Sequence, residues 1–501
     1  MTFRSAGLVL WLAVTGLACR AQPDFQRYGK PAEPAPPDPA IVKALATIDA
    51  SRIENTIQAL VGFGTRNTLT SMDTAQPPGQ GIDAAADWIA SRFAQISQAC
   101  RGCLEVKRDT FTADPASGES WAKRIPGPTR ITNIYAILRG SDPAQARHMY
   151  LVTGHYDSIN SNVFKNWADT SGAAPGANDD ASGVAVSLEC ARALSTLHLP
   201  ATLIFAAVAG EEQGLVGSAH LAHLARQEGW QLEAVLNNDI VGGNTTPGDM
   251  LQQKDRVRVF SEGVPISATP EQERRIRGLG EENDSASRQL ARAVADTARS
   301  YFSPLAGQPR QAGSATASND GFMAFPVFRP DRYGRGGDHT SFNREGFAAV
   351  RFTEWREDFN HQHQDVVRPP SGSSDPVLGD LPEFVDFNYV AKVARLNAAV
   401  LATLAASPGE PGRVTIDSRK LENGTSLLWE PAPGKVDHYE VSWRETTAAD
   451  WQYTENVASP SAGGPITITL PVSKDNVVFG VRAVDASGHR SLAVAPEPAA
   501  R

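Results

Sequence analysis

The chain is poor in cysteine, with four in 501 residues, too few for a disulfide-built scaffold. Its net charge of −9 leaves no basic footprint, so nucleic acid is not an expected partner. No G-x-S-x-G elbow occurs, and nothing calls for a serine or cysteine nucleophile. No internal repeat of fixed period is visible, which argues against a solenoid or propeller. Apolar residues at 41% and charged residues at 21% are globular values, and 501 residues exceed one ordinary domain.

The amino terminus, residues 1–21, reads as a secretion signal: Arg4, an apolar segment from Ala6 to Leu17, then small residues. The segment is too short and too early for a spanning helix, so export without a transmembrane segment in the mature chain is expected, whether periplasmic, cell-surface or secreted. Cys19 follows Gly-Leu-Ala and resembles a lipoprotein cleavage site, while cleavage after Ala21 is the competing outcome. Residues 22–40 carry six prolines and read as an extended tether. In an exported chain Cys100 and Cys103, two residues apart, favour a local disulfide, and Cys190 falls on the apolar face of a helix as a buried thiol.

What the sequence does hold is a set of acids and imidazoles at the ends of apolar runs. Leu203 to Val208 is a buried-type strand that ends in the adjacent carboxylates Glu211 and Glu212. In open α/β sheets that end of a strand is where ligands bind. Two neighbouring acids seldom share one task; one plausible division gives a metal one carboxylate and leaves the other as a general base. Taken alone, such a pair is more often a solvated turn. Met149 to Thr153 is a second strand, ending in Gly154-His155-Tyr156-Asp157, where the later carboxylate can hold the far nitrogen of the imidazole. Asp179 and Asp180 precede a helix for which Ser182 is a good cap. A third apolar run ends at Asp239, and NHQHQD places His361, His363 and Asp365 after Ala348 to Phe352.

These segments, H-x-D, G-A-x-D-x-A-S-G, E-E-x-G-L-x-G-S, N-D and H-x-x-x-D in that order, resemble the dizinc exopeptidases of the aminopeptidase Y type, over roughly residues 50 to 406. The resemblance implies two Zn2+ per chain, one held by His155 and Asp239, the other by Glu212 and His361, with Asp179 bridging. It also implies that Glu211 is the acid/base and that Asp157 orients His155. The usual spacing of the histidine four residues before the aspartate selects His361 over His363. Gly-Asp338-His339 and Phe342 resemble the family's S-D-H-x-x-F segment near the substrate pocket, not metal ligands. Arg332, Tyr333 and Arg335 beside them are candidates to meet a substrate carboxylate. His198, His220 and His223 lie away from strand ends and are read as structural or solvated.

Strands alternating with helices argue for an α/β fold with a mixed, largely parallel sheet flanked by helices over residues 41–406. Ile41 to Gly64 is helical in pattern, and three long loops, 158–176, 242–280 and 310–339, are expected to shape a pocket. After the linker SPGEPG, residues 412–496 show short alternating runs of a small β-sandwich. Leu428-Trp429, Tyr439-x-Val441-x-Trp443 and Phe479-x-Val481 there resemble a fibronectin type III module.

The expectation is an exported metallo-exopeptidase acting on peptides or proteins, most simply an aminopeptidase. The alternatives on the same fold are a glutamate-type carboxypeptidase or dipeptidase and a glutaminyl cyclase. Outside enzymes, the alternative is a degenerate peptidase serving in adhesion. The sequence is silent on oligomeric state.

Overall fold

Long apolar runs in this chain have no polar alternation because helices cover the sheet they build on both faces. The computed structural model describes residues 24–302, 321–419, 421–460 and 463–499; the signal segment and Cys19 lie outside them. Eight strands make the central sheet: Leu104–Ala113 (β1), Thr129–Leu138 (β2), His148–His155 (β3), Thr202–Val208 (β4), Gln231–Asn238 (β5), Arg256–Ser261 (β6), Met323–Val327 (β7) and Ala349–Thr353 (β8). Their order is β1-β2-β4-β3-β5-β8-β6-β7. The central run β4-β3-β5-β8 is parallel, with antiparallel partners at β1-β2, β2-β4 and β8-β6. The mixed, largely parallel sheet expected from the sequence is therefore the observed one. Every residue of β4 and β8 is buried.

Nine helices are seen among the described residues: Pro39–Leu45 (α1), Ala50–Val61 (α2), Gly81–Ala99 (α3), Ala181–Leu194 (α4), Val216–Gln227 (α5), Pro270–Leu279 (α6), Ala286–Phe302 (α7), His339–Arg344 (α8) and Phe387–Ala406 (α9). Helices α4 and α9 pack together in the larger core, whereas Leu221 of α5 and Phe342 of α8 fill a smaller core on the other face. Helix α9 is apolar and long enough to cross a membrane by composition, but 78% of that window is buried within the protein. It is a core helix.

Several local expectations are corrected. The helical stretch at 41–64 divides into α1 and α2, because Asp49 accepts from the backbone N–H of Ser51 and starts a new helix. Asp180, not Ser182, caps α4, its carboxylate accepting from the N–H of Gly183 at 2.9 Å. The 242–280 loop contains β6 and α6, and the 310–339 loop contributes β7, with residues 303–320 outside the described part. Cys100 and Cys103 form a disulfide, and Cys190 is a buried thiol.

Beyond α9 lie Gly412–Ile416 (β9), Thr425–Glu430 (β10), His438–Glu445 (β11), Tyr453–Ala458 (β12), Ile466–Leu470 (β13) and Val477–Val484 (β14). They form two small sheets, β12-β11-β14 and β13-β10-β9, around Trp429, Trp443, Tyr439 and Phe479. In the proline-rich segment, expected to be an extended tether, Asp24–Gln26 is a short 3-10 helix and Pro39 already opens α1. Lys30 and Pro31 pair with β12, and the Trp443 indole donates to the Phe25 carbonyl at 2.9 Å. Gly29, at φ +72°, allows this: a Cβ there would lie 2.2 Å from the Trp443 ring.

Candidate metal centre

Strands β4, β3 and β5 are adjacent and parallel, so the residues that follow their carboxyl ends come together at one edge of the sheet. His155 ends β3, Glu211 and Glu212 lie in the turn after β4, and Asp239 follows β5. Asp179 immediately precedes α4, whose first turn lies close against β5: a Cβ on Gly183 would meet the Asn238 carbonyl at 2.2 Å.

Asp179 sits between two imidazoles. Its Oδ1 is 3.1 Å from His155 Nε2 and its Oδ2 is 2.9 Å from His363 Nε2. Glu212 Oε1 lies 3.0 Å from His363 Nε2, and Asp239 Oδ1 lies 4.0 Å from His155 Nε2. Two donor groups result, His155-Asp179-Asp239 and Asp179-Glu212-His363, each with its ligand atoms within 4.8 Å of one another. Glu211 stands beside them, grouped with His155 and Glu212.

His361, expected to complete the second group, is elsewhere. Its ring stacks on Phe384 at 3.6 Å between centroids, with Nδ1 3.7 Å from Asp358. His363, whose backbone is left-handed at φ 55°, stands in the second donor group where the spacing points to His361.

Asp157 has the place of an orienting residue. The Nδ1 of His155 is 3.4 Å from Asp157 Oδ1 and 3.1 Å from its carbonyl oxygen. The same carboxylate accepts from the backbone N–H groups of Glu211 and Glu212, each at 3.2 Å, and from the Thr68 hydroxyl. One acid thus fixes both the imidazole and the two-glutamate turn.

The remaining predicted residues divide. Asp338 is fully buried near Ser218 and Asp239; neither of its oxygens has a hydrogen-bond partner, and burial pushes its carboxyl up to about 7. His339 lies 2.8 Å from the Pro330 carbonyl. Arg332 and Arg335 both engage Glu357 at 2.9 Å, which is also paired with Arg258, and Tyr333 is 88% exposed under Arg329. Of the histidines read as structural, His220 stacks on Phe111.

Three residues at the site escaped the sequence reading. Arg351 is fully buried in β8 and joins Asp239 Oδ1 at 2.8 Å to Asp331 at 3.3 Å. Its only signal was an arginine inside an apolar strand run. Asp380 accepts from the backbone N–H groups of Asn178 and Asp179 at 2.8 and 2.7 Å, and burial pushes its carboxyl up to about 7. Arg66 donates to the carbonyls of Tyr156, Pro175 and Gly176, tying together the loops that carry Asp157 and Asp179. Arg66 lies in the segment GFGTRNT, which resembles the opening of the dizinc exopeptidases, but nothing in that segment marked it as a site residue.

Nε2 of His155, Nε2 of His363 and Oε1 of Glu212 are all buried without a hydrogen-bond partner. Such atoms are costly to bury unless a cation takes their lone pairs. Around them burial first, then Glu212, Asp239 and Asp338, push the Glu211 carboxyl well above its ordinary range, against the pull of His155. A surplus of carboxylates over cations, two imidazoles and oxygen donors fit a pair of borderline divalent ions such as zinc.

The fold and this donor set define an α/β protein with a candidate two-cation centre at a sheet edge. A family model, peptidase family M28, matches residues 133–376. A probable zinc metalloprotease of Pyricularia oryzae is 42% identical over 470 residues, covering 92% of this chain and 85% of that protein. One of Leptosphaeria maculans is 40% identical over 464 residues, covering 92% and 98%. The chain belongs to peptidase family M28. Among solved structures, LapB from Legionella pneumophila is similar at 18% identity and a TM-score of 0.46, over 74% of this chain and 77% of that one.

Proposed function

We propose that the protein is a zinc-dependent peptidase that releases amino-terminal residues from peptides. The observation that carries this reading is the convergence of His155, Asp179, Glu212, Asp239 and His363 in two donor groups that share Asp179, with Glu211 beside them. His155, Asp239 and Asp179 would hold one zinc, and Asp179, Glu212 and His363 the other. When bound, the ions would supply Lewis acidity toward the scissile carbonyl and lower the pKa of a water toward neutrality. Glu211 would take that water's proton on its carboxylate and return it to the leaving amine, so no covalent intermediate with the chain is needed. Asp157 would keep His155 in one tautomer and orientation.

An aminopeptidase is favoured over a carboxypeptidase of the kind expected from Arg332 and Arg335, because Glu357 neutralises both. The buried Asp338 supplies the acidity that a free α-amine seeks. Incubation with leucine p-nitroanilide and with an N-blocked dipeptide tests the assignment. Cleavage of the first alone is expected; cleavage of the second alone would overturn it. We further propose export directed by residues 1–21, tested by fractionating cells that express the full chain. The strand order β13-β10-β9 against β12-β11-β14 supports reading residues 412–496 as a fibronectin type III-like module that stabilises or spaces the peptidase body.

A further inference from the structure

On the Glu212 and His363 side, the candidate centre has a continuous rim of side chains that the proposed chemistry does not use. Arg124 Nη1 donates to the Glu212 carbonyl at 3.2 Å. Its guanidinium lies 5.0 Å from the centre of the Trp167 ring. Trp167 packs edge-on against Phe164 at 6.2 Å, and Phe164 in turn stands 6.1 Å from the His363 ring. The contacts therefore run from one ligand of the second donor group, through a cation and two aromatic rings, to the other. Phe164 is 60% exposed, unusual for a ring that size, and Arg124 is exposed too.

Unlike the nearby Arg332, Arg335 and Arg351, which are each paired with carboxylates, Arg124 makes no ion pair among the described residues. One hydrogen bond and a ring contact fix its position and leave guanidinium donors open. A planar fork of this kind is the usual partner of a carboxylate. Successive Cα atoms of a peptide are about 3.8 Å apart, so the terminal carboxylate of a dipeptide lies one residue from the scissile carbonyl. Arg124 is held on the backbone carbonyl of Glu212, the same residue whose carboxylate belongs to the second donor group.

We infer that Arg124, Trp167 and Phe164 form the subsite for the leaving residue, with Arg124 receiving its free carboxylate and the two rings its apolar side chain. The preferred substrates are then dipeptides with a large apolar second residue. This rests on the free-amine requirement of the aminopeptidase reading and moves its substrates to the dipeptides of the alternative on the same fold.

The test compares kcat/KM of the zinc-loaded enzyme for Leu-Phe, Leu-Phe amide, Leu-Ala and N-acetyl-Leu-Phe. Wild type should prefer Leu-Phe to its amide, and Arg124→Gln should cut that ratio by about tenfold or more, chiefly through KM, as expected for one charged hydrogen bond. Trp167→Ala should instead lower the Leu-Phe to Leu-Ala ratio. Equal treatment of acid and amide by wild type, or an equal loss on both in Arg124→Gln, would overturn the inference while leaving the aminopeptidase reading in place. Cleavage of N-acetyl-Leu-Phe as fast as Leu-Phe, with the Arg124 effect retained, would overturn that reading and keep the subsite.

Discussion

Buried charge is handled in opposite ways at the two ends of this molecule. At the candidate metal centre carboxylates outnumber cations: Asp157, Asp179, Glu211, Glu212, Asp239 and Asp338 gather with Arg351 as the adjoining guanidinium. Where the peptidase body meets the C-terminal sandwich, acids have matched guanidinium groups. Arg444 reaches both oxygens of Asp284 at 2.7 and 2.9 Å, and Glu440 is held by Arg482 at 2.7 Å and Arg490 at 2.8 Å. One region is balanced by its own sequence and serves to hold parts together. The other is left unbalanced, which is what a site for divalent cations requires.

The largest expected effect tests the unbalanced side. Glu211→Gln should retain zinc, as read by metal analysis, and lose about 10²–10⁴-fold in kcat; wild-type turnover would remove the base assignment. His363→Ala should weaken zinc binding by more than about 100-fold, since losing even an outer-shell partner costs 10–100-fold, whereas His361→Ala should leave the zinc content near wild type. Calorimetric zinc titration separates the two, and the reverse result would restore the spacing-based choice.

On the balanced side, Arg444→Met should destabilise the protein by about 3–5 kcal/mol in denaturant unfolding, because it leaves Asp284 buried with Arg292 at 3.7 Å and the Gln289 amide at 3.4 Å in place of its two short guanidinium bonds. Glu440 gives a smaller, pH-dependent effect. Burial alone would raise its carboxyl, but Arg482 and Arg490 override this and hold it at about 2 instead of 4.5. A folded value below the unfolded one stabilises the protein above the unfolded value. That contribution, on the order of 3 kcal/mol, is lost as the pH falls from about 4.5 toward 2. Glu440→Gln should flatten that part of the stability profile; an unchanged acid transition would mean the pairing does not stabilise the sandwich.

Much of the site was legible because strand ends are legible. An apolar run that stops at an acid or a histidine announces both its buried strand and the edge where that strand ends, so His155, Glu211, Glu212 and Asp239 were named from local pattern and resemblance. His363 was not, because spacing pointed to His361 and His363 sits at a left-handed position in an irregular loop. The proline-rich segment was read as a tether, and no local feature showed that Trp443 lies across from Gly29. Arg66 and Asp380 act through backbone groups distant in sequence, and such bonds leave no spacing behind.

The sequence by itself determined the alternation of strands with helices, a local disulfide at Cys100 and Cys103, and the kinds of donor atoms offered to a cation, since these follow from hydrophobic period, close spacing and side-chain chemistry. Only the tertiary structure decided which histidine turns inward, which arginines remain unpaired, and that the first and last segments share a sheet. Those outcomes depend on distances between residues far apart in the chain, and packing fixes such distances where composition and period cannot.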